Sequence, residues 1–209
     1  MKKNSLYSFI ALSMSLLIAS PGRFAYGIFI ILAFLFFTIC GTLVRQLIKI
    51  LKMENLQQFL IPAVLIALTL IFRQLVIFYS PVISLVNGFV IFMATACSYV
   101  ITRLYIKETG SLKDEMILNL KEASIFSAFA VFFFLFRDIL GYGTILLPVP
   151  SGVFEVVIFE TEITYMGAFF ASIPGAICLF AVCLFVFASI QKKLQIFDSI
   201  SVRGVENVE

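Results

Sequence analysis

Arg137-Asp138-Ile139-Leu140-Gly141-Tyr142-Gly143-Thr144-Ile145 closes an almost wholly apolar run, Ala123 to Phe136. Two opposite charges and a pair of glycines therefore stand at the end of a stretch suited to hydrocarbon. An ionised side chain at membrane depth costs about 2.5–3.5 kcal/mol on insertion scales, so such groups are paired or functional. One reading is an interfacial Arg-Asp pair before a glycine turn. The other is a site. What surrounds the stretch bears on the choice.

The chain of 209 residues is 62% hydrophobic and 13% charged, with 25 Phe and neither His nor Trp. Apolar runs near 20 residues recur along it, which is the pattern of a multi-spanning membrane protein in one domain, 1–209. Without His there is no imidazole metal site and no His-based triad. No basic run interleaved with aromatics points to nucleic acid. Cys40, Cys97, Cys178 and Cys183 form no CxxC and fall inside apolar runs, where Cys acts as a small hydrophobe.

Six runs can be traced. Leu6 to Ala19 spans only ~21 Å as a helix, short of a hydrocarbon core of about 30 Å. It lacks a small-x-small cleavage pattern and reads as a retained first helix. Phe24 to Val44, Phe59 to Tyr79, Pro81 to Thr102, the run ending at Phe136, and Ile163 to Gln191 follow. A polar connector with Lys113, Asp114, Glu115, Lys121 and Glu122 precedes the fifth. A loop, Leu146 to Glu162, with Glu155, Glu160 and Glu162 as a solvated rim, follows it. Pro174-Gly175 is expected to kink the sixth, and 192–209 is a polar tail.

Lys2, Lys3, Arg45, Lys49, Lys52, Arg103, Lys107, Lys113, Lys121, Lys192, Lys193 and Arg203 all fall on one side of such a topology. That bias predicts a cell (inner) membrane protein with both termini cytoplasmic. It places Arg73 at the same outer level as Arg137 and Asp138, so Arg73 is the expected charge partner of Asp138. The glycines Gly141 and Gly143 serve a tight turn or a close helix contact.

Three runs followed by three more suggest inverted repeats, 1–79 and 81–191, since an odd number of spans inverts the second copy. The first helix of each half, short or broken, carries small and polar residues at mid-depth: Ala11-Leu12-Ser13-Met14-Ser15 and Ala94-Thr95-Ala96-Cys97-Ser98. These suit close helix packing, or alternatively two segments facing each other across a site.

Arg137 to Thr144 resembles the Arg-Glu-Ile-x-Gly-x-Gly-Thr signature of the six-helix membrane subunits of Rnf and Nqr electron-transport complexes, nearest the Rnf E and Nqr D subunits. Phe159-Glu160-Thr161 before the last run is similar as well. The resemblance implies an all-α fold of six spans in two inverted repeats, paired with a homologous inverted six-helix subunit in a redox-driven ion-translocating complex. It also implies a [2Fe-2S] cluster shared by cysteines of the two subunits. At the two cluster positions this chain carries Met14 and Ser98, with Cys97 one residue early. The cofactor expectation is therefore one of two: a [2Fe-2S] cluster held at reduced occupancy with Cys97 as the one remaining candidate ligand, or, the favoured reading, a cluster role lost from a retained scaffold.

Three functions compete. The first is a non-catalytic subunit of such a complex, with other subunits and the lipid bilayer as its partners. The second is a small-solute or ion transporter on the same inverted-repeat scaffold. The third is an assembly subunit without chemistry. Gly141-x-Gly143 follows a helix rather than a strand, so it is no dinucleotide fingerprint.

Overall fold

The uncharged run after Arg23, extended through Arg45 and Lys49, forms α1, Phe24–Ile50, and the other long helices pack around it. The computed structural model describes residues 12, 14–104, 112–149, 152–158, 165–186 and 189. A one-turn π-helical segment, Met14–Ile18, precedes α1. α2 is Gln57–Tyr79, with Pro62 in its second turn. The fourth apolar run is broken: α3, Pro81–Val86, stops at a turn over residues 87–89, and α4, Val90–Leu104, resumes. Proline suits the first position of α3 because an N–H there has no helical partner.

α5 spans Leu112–Tyr142 without interruption. A short α6, Tyr165–Ala171, is separated by Ser172 from α7, Ile173–Val186. The expected kink at Pro174-Gly175 is thus a break two residues earlier, and Pro174 sits in the first turn of α7, where proline is tolerated. α1, α2 and α5 are each long and apolar enough to cross a membrane, while α4 and α7 are shorter apolar helices. This is a predominantly helical membrane protein.

The reading of Leu146 to Glu162 as loop is corrected over its first part. β1, Thr144–Val149, and β2, Gly152–Val157, form an antiparallel hairpin that pairs Thr144 with Val157 and Leu146 with Glu155. Their β-branched and aliphatic residues favour extended backbone, and Pro148 is tolerated because each strand of a two-stranded sheet is an edge. Glu160, Glu162 and the Phe159-Glu160-Thr161 segment lie outside the described residues. So do most of the first run, residues 105–111 and the tail.

α1 packs against α4 and α5, α2 against α1 and α4, and α6 against α5. Phenylalanines fill the centre: Phe34, Phe37, Phe126, Phe133, Phe134 and Phe180 are fully buried. Phe34 meets Phe126 edge-on at 5.1 Å, and Phe133 meets Phe180 at 6.3 Å. Lipid tails are as apolar as these rings, so the gain comes from dispersion and quadrupole fit rather than from escape from water.

Candidate functional site

Arg137 and Asp138 lie in the last two turns of α5, both buried. They hold backbone rather than each other. Arg137 Nη1 donates to the carbonyls of Leu17 at 3.2 Å and Ser20 at 2.8 Å, and Nη2 donates to Ala171 O at 3.1 Å. All three acceptors close helical segments: two end the first run and one ends α6. Terminal carbonyls have no partner inside their helix and carry the negative end of its dipole, so a guanidinium fork suits them.

Asp138 does the converse. Its Oδ2 accepts from Phe24 N at 3.1 Å and Leu146 N at 2.8 Å. Phe24 opens α1, so the carboxylate caps the positive end of that helix, where no side chain of its own N-cap residue, Arg23, does so. One dipeptide thus ties together the ends of the first run, α1, α6 and the hairpin.

Beyond Asp138 a charged layer faces outward. Arg23 Nη1 lies 3.8 Å from Asp138 Oδ1 and donates to Thr144 Oγ1 and Glu155 Oε1, both at 3.0 Å. Thr144 Oγ1 donates to the same Glu155 oxygen at 2.9 Å, and the Arg23 guanidinium stacks on the Tyr142 ring at 3.8 Å. The hydrogen bond from Arg23 and then that from Thr144 hold the Glu155 carboxyl below its ordinary value.

The cation beside Asp138 is therefore Arg23, and the expected pairing with Arg73 is corrected. Arg73 stands exposed on α2 beside the turn at Gly88, where a Cβ would lie 3.9 Å from its Nη2. The reason is packing order: α2 lies against α1 and α4, whereas Asp138 belongs to α5. Equal depth in the membrane did not make the two residues neighbours.

The two glycines divide the roles proposed for them. Gly143 has φ of 67°, a left-handed turn that releases the chain from α5 into β1. Gly141 remains helical and buried, and a Cβ there would meet Ala171 N at 3.2 Å and Ala171 Cα at 3.3 Å. Its missing side chain lets α6 come close enough for Ala171 O to reach Arg137.

At mid-height the two segments singled out in the sequence do meet. Cys97 Sγ lies 3.2 Å from Ser15 Oγ and 3.8 Å from Leu12 O. Met14, by contrast, is exposed, and buried Ser98 donates to Thr95 O of its own helix at 3.0 Å. A [2Fe-2S] centre is held by four thiolates or, in one variant, by two thiolates and two imidazoles. A thioether turned outward, a bonded hydroxyl and one buried thiol do not fit that donor set. Among the described residues no group of three His, Cys, Asp or Glu is placed to hold a metal. Cys40 lies on α1, and Cys178 and Cys183 lie on α7.

A second charged cluster went unread in the sequence. Glu115, assigned to a polar connector, is 3% exposed. Its carboxylate accepts from Gln46 Nε2 and Lys49 Nζ, each at 2.6 Å, and Arg45 Nη2 stands 3.9 Å away. Arg45 Nη1 also donates to Thr102 O at 3.1 Å, and one turn along α5 Asn119 Nδ2 donates to Thr42 Oγ1 at 3.2 Å. The signal was present: 115, 119, 123, 126, 130, 134, 137 and 141 recur every three or four residues along one face. That face simply begins in polar residues.

Comparisons with protein-family models, with curated proteins and with solved structures find no match.

Proposed function

We propose that the chain is a non-catalytic membrane subunit of a redox-driven ion-translocating complex of the Rnf/Nqr type, retaining the scaffold without the cluster. In this reading it has six spans in two inverted repeats, with both termini cytoplasmic, and pairs with a homologous inverted six-helix subunit. The observation that carries the reading is the contact between Ser15 and Cys97. It joins the first helix of each proposed half at mid-height, one bearing a π-turn and the other resuming after a break at 87–89. Interrupted helices meeting at the midplane are what such a repeat plan requires. The Arg137-Asp138 pair then serves as the fastener that holds the interrupted ends in place.

The test is purification from the native host through a C-terminal tag in mild detergent. Recovery of a second six-helix subunit together with flavin- or iron-sulfur-bearing partners is expected. Recovery of the chain alone, or with an ATPase, would reject the redox-complex reading in favour of transport.

A further inference from the structure

α1 ends in a Schellman turn. Lys52 N donates to Lys49 O at 3.0 Å and Met53 N to Ile48 O at 3.2 Å, which puts Lys52 at the left-handed position with φ of 55°. Glycine ordinarily occupies that position because a Cβ is strained there. A lysine in its place sets a basic residue between two spanning helices, at their inner end, against the local backbone preference.

That ammonium opens on a cavity of about 520 Å³ lined by Lys52, Met53, Asn55 and Leu56. The lining joins one cation and one amide to two apolar side chains. Lys49 is spent on Glu115, whereas Lys52 has no carboxylate within 4.0 Å among the described residues. Near it in the chain, Ile50 is 76% exposed and Phe59 is 73% exposed. A soluble anion would use only the ammonium and the amide, whereas a lipid would use the apolar side chains as well.

We infer that this cavity binds the headgroup phosphate of an anionic phospholipid, held by the Lys52 ammonium and the Asn55 amide. Met53 and Leu56 lie against the base of its acyl chains. Basic pockets at the cytoplasmic ends of membrane helices suit such headgroups because the negative lipid phosphate meets a cation at its own depth. The site depends on the orientation of the chain and not on the redox reading.

The experiment is native mass spectrometry of the detergent-purified protein exposed to equimolar phosphatidylglycerol and phosphatidylcholine. The wild type is expected to retain phosphatidylglycerol preferentially. Lys52→Gly should lower that retention about five-fold without lowering the unfolding temperature, because glycine suits the left-handed turn. Lys52→Arg should keep the preference, and Asn55→Leu should weaken it to a smaller degree. Unchanged retention in both Lys52→Gly and Asn55→Leu would overturn the assignment. So would an equal loss in the distant Lys113→Gln, which would mean diffuse charge. Displacement of the lipid by excess inorganic phosphate would assign the cavity to a soluble anion instead.

Discussion

The two ends of the α1–α5 pair each bury charge, by opposite means. At one end Arg137 and Asp138 bond backbone groups of the first run, α1, α6 and β1. At the other Glu115 bonds side chains of α1 alone, Gln46 and Lys49, with Arg45 alongside. Backbone groups cannot turn away when a partner is removed, so they are left unsatisfied. Long side chains can turn to water, as Lys49, already about a third exposed, is free to do. Burying charge is therefore architectural at one end and adjustable at the other.

The largest effect is expected from Arg137→Ala, which strands three carbonyls. A loss of about 1–3 kcal/mol for each buried carbonyl left without a partner follows. Denaturant unfolding in detergent micelles would measure it, and Arg137→Lys should recover only part because an ammonium lacks the fork. Glu115→Ala should cost less, about 1–3 kcal/mol. An equal or greater loss in the same assay would remove the contrast between the two ends.

Gly143→Ala is expected to cost ~1–2 kcal/mol through its left-handed backbone and to loosen the hairpin, seen as faster amide exchange at Leu146 and Ile158. Gly141→Leu should act at a different place, disrupting the α6 contact and with it the third bond of Arg137. If the exchange changes at the hairpin were identical in the two variants, the division of roles between the glycines would fail.

A double-mutant cycle on Arg23 and Asp138 should return a coupling of about 0.5–1 kcal/mol, while Arg73 and Asp138 should be additive. Coupling at Arg73 would restore the pairing that depth alone suggests. The smallest effect concerns Glu155. Its carboxyl is depressed in the folded state, so its contribution is complete above the ordinary value of about 4.3 and fades as pH falls through the lower folded value. Hairpin opening, read from amide exchange corrected for its intrinsic pH dependence, should therefore be flat at neutral pH and rise only below about pH 4. A rise near pH 6 would contradict the direction of the shift.

The apolar runs, the importance of Arg137-Asp138 and the facing of Ser15 toward Cys97's helix were legible because composition and spacing are local properties. Three features were not. Arg23 was passed over because nothing in the sequence shows that α1 and α5 place residues 23 and 138 at one end of a packed pair. The hairpin was hidden by Pro148, Pro150 and Gly152, which read as loop when taken singly. Glu115 was read by residue type, although its phase on α5 places it with Asn119 and Ala123 on the buried face. In each case tertiary packing decided between local alternatives of similar propensity.

The reach of Arg137 also has a consequence for biogenesis. Its acceptors lie 120 and 117 residues earlier and 34 residues later in the chain. A segment made early is thus among the last to be fastened, since the fastener is not complete until Ala171 has been made. During that interval a guanidinium waits near the bilayer with part of its fork unmet. A translation product arrested before Ala171 is therefore expected to leave that early segment less firmly held.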